Sequence, residues 1–260
     1  VTLPHQITLT ALPGLPLVRP GDDLAALTMA GLEAAGVELQ DGDVLVFAQK
    51  VVSKAEGRLV CLNDVTPSAR AQALADEIGK DPRLVEVILG ETSEVVRSRP
   101  GVMVVEHRLG FVSANAGVDH SNVAGESGRE SEPWVLLLPV DPDASARRLG
   151  ESFESATGAA VGVLVIDSHG RAWRMGTVGV AIGVFRFPAL LDLRGRPDLF
   201  GEPLKITQVG LADELAAAAS VLMGQADEGR PVIHVRGLPY PLRDGSLGEL
   251  LRPKSEDLFR

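Results

Sequence analysis

The sequence carries a single cysteine, Cys61, among 260 residues. One thiol excludes an intramolecular disulfide framework and any metal knuckle built on cysteine pairs. Set in an apolar stretch, Cys61 reads as a small buried hydrophobe rather than a nucleophile. Aromatic side chains make up only 4% of the chain, so the core has to be aliphatic. Five scattered histidines argue against a His-rich zinc site. No apolar run approaches the roughly 20 residues of a membrane span. The first ten residues show no basic or apolar signal-peptide region, and no Asn-x-Ser/Thr site occurs. Basic charge is short as well: 25 Lys and Arg face 35 Asp and Glu, a net −10. Such a chain offers no basic face to nucleic acid and no polybasic patch to an anionic membrane. Also missing are Gly-x-Gly-x-x-Gly after a strand, the P-loop, His-Glu-x-x-His and the Gly-x-Ser-x-Gly elbow. The expectation is a globular cytoplasmic protein whose nucleotide, if it binds one, sits in a nonstandard cradle.

What is abundant is glycine: 28 residues, well above the roughly 7% of ordinary proteins. Helical and strand patterns mix without strict alternation. The reading is therefore α+β, mixed sheets with packed helices, in one domain over 1–260. Strands are expected at 5–10, 43–49, 59–62, 102–106, 111–114, 134–140, 161–166, 178–187 and 231–236. Helices are expected after Asp22-Asp23, Thr66-Pro67, Asp81-Pro82 and Asp143, and over 211–223. The Pro/Gly-rich stretch 188–203 is the expected joint between two intimately joined subdomains.

Four segments carry candidate chemistry. Lys50 and Lys54, with Gln49, Ser53 and Arg58 nearby, can meet a polyphosphate, or can be surface lysines of a solvated loop. Asn115 to Asn122 follows an apolar strand and offers Asp119 to a hard cation, or builds an Asx turn. Asp167 ends a buried strand, with Ser168, Gly170, Arg171 and Arg174 beyond it; the alternative is a capped hairpin turn. Gln225 and Glu228 follow the 211–223 helix and can supply oxygen ligands, or merely lie where glycine ends the helix. Together, strand-end carboxylates, an oxygen-rich turn and a lysine pair match metal-assisted phosphoryl chemistry.

The order and spacing of Gly14-Leu15-Pro16…Arg19-Pro20-Gly21-Asp22-Asp23, Lys50 to Arg58, Asn115-Ala116-Gly117-Val118-Asp119…Ser121-Asn122 and Asp167-Ser168…Gly170-Arg171…Trp173-Arg174…Gly176 resembles the coenzyme F-420:L-glutamate ligases, or gamma-glutamyl ligases. The resemblance runs from about residue 5 to 237. It implies a GTP-dependent ligase that activates the carboxylate of glutamate-free F-420 as an acyl phosphate, which L-glutamate then displaces, with further gamma-linked glutamates open. It implies two Mg or Mn ions, a monovalent cation as an optional addition, and an intertwined homodimer. Long relatives carry a C-terminal flavin-binding domain, and none is expected here.

Carried over residue by residue, Leu15, Pro16, Leu17, Val18, Gln49, Lys54 and Asn122 would contact the nucleotide. Asp119 and Asp167 would hold the first ion, Ser168 and Gln225 the second. Lys54, Asp119 and Asp167 are the expected catalytic groups. Ser168 stands where the family often has Thr, Gln49 is a variable position, and His169 replaces a commonly apolar residue. The acidic net charge adds one requirement: Lys50, Lys54, Arg171 and Arg174 should converge on the cleft to reverse its field. Loops 115–128 and 168–176 are the expected lids. A paralogue acting on another carboxylate-bearing cofactor, or a noncatalytic nucleotide- or deazaflavin-binding protein, are the competing readings.

Overall fold

The structure, a computed structural model, describes residues 6–123, 125 and 128–257. Residue 5 of the expected opening strand and residues 124, 126 and 127 of the expected lid lie outside the described residues. In chain order the elements are β1 (Thr8–Ala11), α1 (Leu24–Ala34), β2 (Val44–Ala48), α2 (Gln49–Ala55) and β3 (Leu59–Cys61). There follow α3 (Ala69–Ile78), α4 (Pro82–Gly90), β4 (Thr92–Arg99), β5 (Val102–His107), β6 (Val112–Ala114) and β7 (Trp134–Leu136). The last third holds α5 (Pro142–Thr157), β8 (Gly162–Arg171), β9 (Arg174–Phe185), β10 (Leu191–Asp192), β11 (Gln208–Val209), α6 (Leu211–Met223) and β12 (Val232–Arg236).

The main sheet has the order β1-β12-β2-β8-β9. β2 and β8 run parallel, and the other pairs are antiparallel. Its central strands are apolar on both faces, as buried strands must be when helices cover both sides. Leu45, Phe47, Val163 and Val165 pack under α1 and α5, against Leu32, Leu149 and Phe153. Val44, Val46, Leu164 and Ile166 face the other way, against Leu215, Ala216 and Ala219 of α6. A third apolar cluster joins α3 and α4 to the small sheet β4-β5-β6 through Ile78, Ile88, Met103 and Val105. With few aromatics, Phe47 and Phe153 are stacked at 6.2 Å between centroids in the first cluster. The expected mixture of sheets and packed helices is the one observed.

Several local expectations change. The lysine segment is no loop: β2 passes straight into α2. Helix α3 is capped by Ser68, whose hydroxyl accepts from the Ala71 N–H, rather than by Thr66. Asp141, not Asp143, caps α5. Asp143 instead accepts from the backbone N–H of Val184 and Leu247, tying α5 to β9 and the tail. Residues 168–176 are no loop either; β8 and β9 extend as one hairpin turning at Ala172-Trp173. Strand β4 has exposed polar residues at half of its positions and shows no apolar signature. In the 188–203 connection, Ala189 joins the second apolar cluster and Leu191 packs against it.

Candidate active site

The parallel pairing of β2 and β8 positions the site. Ala48 is opposite Ile166 in the register, so Gln49, which opens α2, and Asp167, still paired to Val180 of β9, sit side by side where the β2–β8 pairing ends. The carboxyl edge of parallel strands is where ligands bind in α/β sheets, because side chains leaving neighbouring strands converge there. Helix α2 begins at once, and its periodicity sorts its residues. Gln49, Val51, Val52 and Ser53 are buried. Lys50 and Lys54, four apart, share the face turned to a cavity of about 1090 Å³.

The cavity is walled by Leu15 to Pro20, Gln49, Lys50, Lys54, Asn122, Asp167, Ser168 and the turn Gly224 to Pro231. Val18 is 7% exposed and anchors the first loop in the core, which leaves Leu17 at the rim, 87% exposed. Eleven expected residues thus line one space: Leu15, Pro16, Leu17, Val18, Gln49, Lys50, Lys54, Asn122, Asp167, Ser168 and Gln225. Asp119 meets this space from behind, through Gln49 Nε2 and Lys50 Nζ, each 3.2 Å from its Oδ2. Ser53 donates to Gln49 Oε1 at 2.9 Å and so fixes which end of that amide faces Asp119.

The chain reaches Asp119 through a strained turn. Asn115, Ala116 and Gly117 all have positive φ, 53°, 53° and 66°. Two of them are not glycine, so surrounding structure must hold them. Ala116 is sealed in the third apolar cluster, and Asn115 Oδ1 accepts the Met103 N–H at 3.2 Å. Gly117 is required, since a Cβ there would lie 2.8 Å from Leu138 Cδ1. Asp119 is then bridged to Leu136 by two backbone hydrogen bonds, of 3.0 and 2.9 Å.

Beyond Asp119 the chain crosses the cavity mouth. Lys50 Nζ donates to Ser121 O and Oγ, and Lys54 Nζ to Asn122 O at 2.7 Å. Asn122 Nδ2 reaches Ala226 O at 3.0 Å. Burial pushes the Lys54 ammonium below its ordinary pKa, and the Lys50 charge adds to this against the pull of Asp119. Burial pushes the Asp119 carboxyl up; Lys50 opposes this and the Asp167 charge reinforces it. Two carboxylates that feel each other across a half-buried site are incompletely neutralised, which suits a cation.

The donors fit a hard divalent ion in kind. Ser168 Oγ donates to Gln225 Oε1 at 2.7 Å, bringing a hydroxyl and an amide oxygen together on the wall of the cavity that Asp167 also lines. Among the described residues no group of three His, Cys, Asp or Glu gathers as a ready cage. An ion held by one or two carboxylates, with phosphate oxygens completing its shell, needs none.

Arg171 and Arg174 are not brought to the cavity. They flank the turn of the β8–β9 hairpin, where Arg171 donates to Met175 O at 3.3 Å. Four strand residues beyond Asp167, at about 3.3 Å each, carry Arg171 roughly 13 Å away. Arg19 and Arg230 line the cavity instead, both exposed. Arg230 had a signal in the sequence, a lone base closing the Gly224–Gly229 turn. Cys61 is buried as expected, yet its thiol donates to Glu132 at 3.1 Å and accepts from Arg129.

A family profile described as F420-0:Gamma-glutamyl ligase matches residues 14–237. The coenzyme F420:L-glutamate ligase of Methanothermobacter thermautotrophicus is 47% identical over 98% of this chain and 99% of its own. The ligase of the same name from Methanopyrus kandleri is 48% identical, over 94% of this chain and 93% of its own. That from Archaeoglobus fulgidus is 42% identical, over 95% and 94%. Identity at this level along nearly whole chains, with a profile match over most of the sequence, places the protein by descent: the chain belongs to the F420-0:gamma-glutamyl ligase family.

Proposed function

We propose that this ligase joins L-glutamate to the glutamate-free deazaflavin coenzyme F-420 in the cytoplasm, using GTP and a divalent cation, Mg or Mn. The observation that carries the reading is the gathering of the Leu15–Val18 loop, Gln49, Lys50, Lys54, Asn122, Asp167, Ser168 and Gln225 around one cavity. An oxygen of the acceptor carboxylate attacks the γ-phosphorus of GTP, the bond to the bridging oxygen breaks, and GDP leaves. The glutamate amine then attacks the acyl carbon, loses a proton, and inorganic phosphate departs. Lys50 and Lys54 bind phosphate oxygens, and Asn122 and the Leu15–Val18 loop hold the nucleotide against the wall. Asp119 and Asp167 would hold one ion, Ser168 and Gln225 a second, and bound cations would neutralise charge on the phosphates. Lys54 stabilises the transferring phosphoryl group, and the Ser121–Asn122 crossing helps exclude water from the acyl phosphate.

A homodimer belongs to the same proposal. The exposed apolar side chains Trp173, Met175, Leu199 and Phe200, each 89% exposed or more, support it. Incubation with glutamate-free F-420, GTP, Mg or Mn and L-glutamate, read by mass spectrometry, tests the activity. One added glutamyl mass is expected, lost in Asp119→Asn and in Asp167→Asn. An unchanged cofactor mass with a protein that binds GTP would refute the reading.

A further inference from the structure

Asp167 and His169 alternate onto the same face of β8, two residues apart. His169 Nε2 lies 3.2 Å from Asp167 Oδ2, and their side chains are 11% and 12% exposed. Nε2 is buried and makes no aligned hydrogen bond with any described residue. A buried imidazole nitrogen seldom goes without a partner, and the carboxylate is the group in reach. The ring is held from behind. Phe111 meets it at 5.1 Å between centroids, tilted by 46°, and His107 stacks on Phe111 at 5.1 Å and 8°. His107 is itself fixed, since its Nδ1 accepts the Leu109 N–H at 2.9 Å and its Nε2 lies 3.6 Å from Glu91. His107 ends β5 and Phe111 precedes β6, so the column runs from the small sheet to the main sheet's carboxyl edge.

We propose that His169 is a positioning residue for Asp167: its Nε2 restrains the carboxylate in the orientation a divalent cation needs, while Phe111 and His107 set the ring. The proposal rests on the reading of Asp167 as a cation ligand. Partners of this kind orient metal-binding side chains, and their loss commonly weakens metal affinity about 10–100-fold. The test is titration of full-length protein with Mn(II) alone, followed by calorimetry, and separately with GTP alone. His169→Phe keeps an aromatic ring against Phe111 and removes the nitrogen. His169→Gln restores an N–H at a similar reach. The Mn(II) Kd is expected to rise about tenfold in His169→Phe and to return toward the wild-type value in His169→Gln. GTP affinity and melting temperature should stay as in the wild type. Wild-type Mn(II) affinity in a folded His169→Phe overturns the proposal and leaves the site reading intact. A parallel rise in GTP Kd, or a His169→Gln as weak as His169→Phe, also overturns it, since either marks general disruption. Unchanged Mn(II) binding by Asp167→Asn overturns the site reading and this proposal with it.

Discussion

Asp119 shows function and stability pulling apart at one residue. Burial raises its pKa and Asp167 adds to the rise, so the folded protein holds a proton there more tightly than the unfolded chain does. The sign follows: Lys50 pairs with this carboxylate but does not offset its burial, so the group weakens the fold as pH climbs through its raised pKa. Asp119→Asn is therefore expected to melt at the wild-type temperature or above it at neutral pH without metal, while losing turnover. Calorimetry beside an activity assay reads both, and a metal-free variant that melts lower would contradict the argument. In the proposed site, protons and cations compete for the Asp119 oxygens, so the metal concentration at half-maximal rate should rise as pH falls toward the raised pKa. The residue types of this site were legible in the sequence: two carboxylates, a hydroxyl, three amides and a lysine pair. Their convergence was legible only through resemblance, since Lys50 and Asp119 are far apart in the chain and 3.2 Å apart in space.

At the scale of elements, close backbone approach decides where α6 lies, and with it Gln225. Gly179 of β9 faces α6 so closely that a Cβ would sit 2.5 Å from Ala216 O and 2.8 Å from Ser220 Cβ. Gly179→Ala must push strand and helix apart, at a cost of about 1–3 kcal/mol. A lowered melting temperature is expected, and one unchanged from wild type would show that the interface absorbs a methyl group. Helix α6 was readable to the residue, Leu211–Met223, because its apolar positions and flanking glycines agree. Helix α2 was not. It has no capping side chain and follows β2 without an intervening turn residue, so nothing local announces it. The hairpin arm beyond Asp167 is hidden in the sequence for a related reason. Gly170 and Gly176 suggest a loop, while pairing between β8 and β9 carries both strands past them.

For the whole molecule, the main sheet is tied by a buried ion cluster far from the cavity. Asp43, just before β2, is 2% exposed and receives two hydrogen bonds from Arg236 of β12, at 2.8 and 2.6 Å. His234 Nε2 lies 2.9 Å from it. Burial pushes the Asp43 carboxyl up, but Arg236 and His234 outweigh it and hold the pKa far below its ordinary value of 3.8. The folded pKa lies under the unfolded one, so this stabilisation is complete above that value and is lost as acid protonates the carboxylate. Asp43→Asn should cost about 2 kcal/mol at neutral pH, less than loss of a partner from a fully buried pair, because Arg236 is 36% exposed and keeps part of its hydration. The gap to wild type should shrink below about pH 4, and denaturant melts at both pH values check it. A cost that does not vary with pH would assign the loss to packing. The exposed Trp173, Met175, Leu199 and Phe200 bear on assembly, and sedimentation reads it directly: a monomer at assay concentrations would refute the proposed dimer.

The sequence by itself determined what is local or additive. An aliphatic core, buried strands at 43–49 and 161–166, most helix ends and the ligand types at the site follow from composition, periodicity and capping. These depend on neighbours a few residues away. Only the tertiary structure decided which cations face the cavity. The parallel register of β2 with β8 brings Lys50 and Lys54 to Asp167, and the length of the β8–β9 hairpin carries Arg171 and Arg174 out of reach. Strand pairing joins segments over a hundred residues apart, and no short pattern in the chain records which edges will meet or how far a hairpin will run.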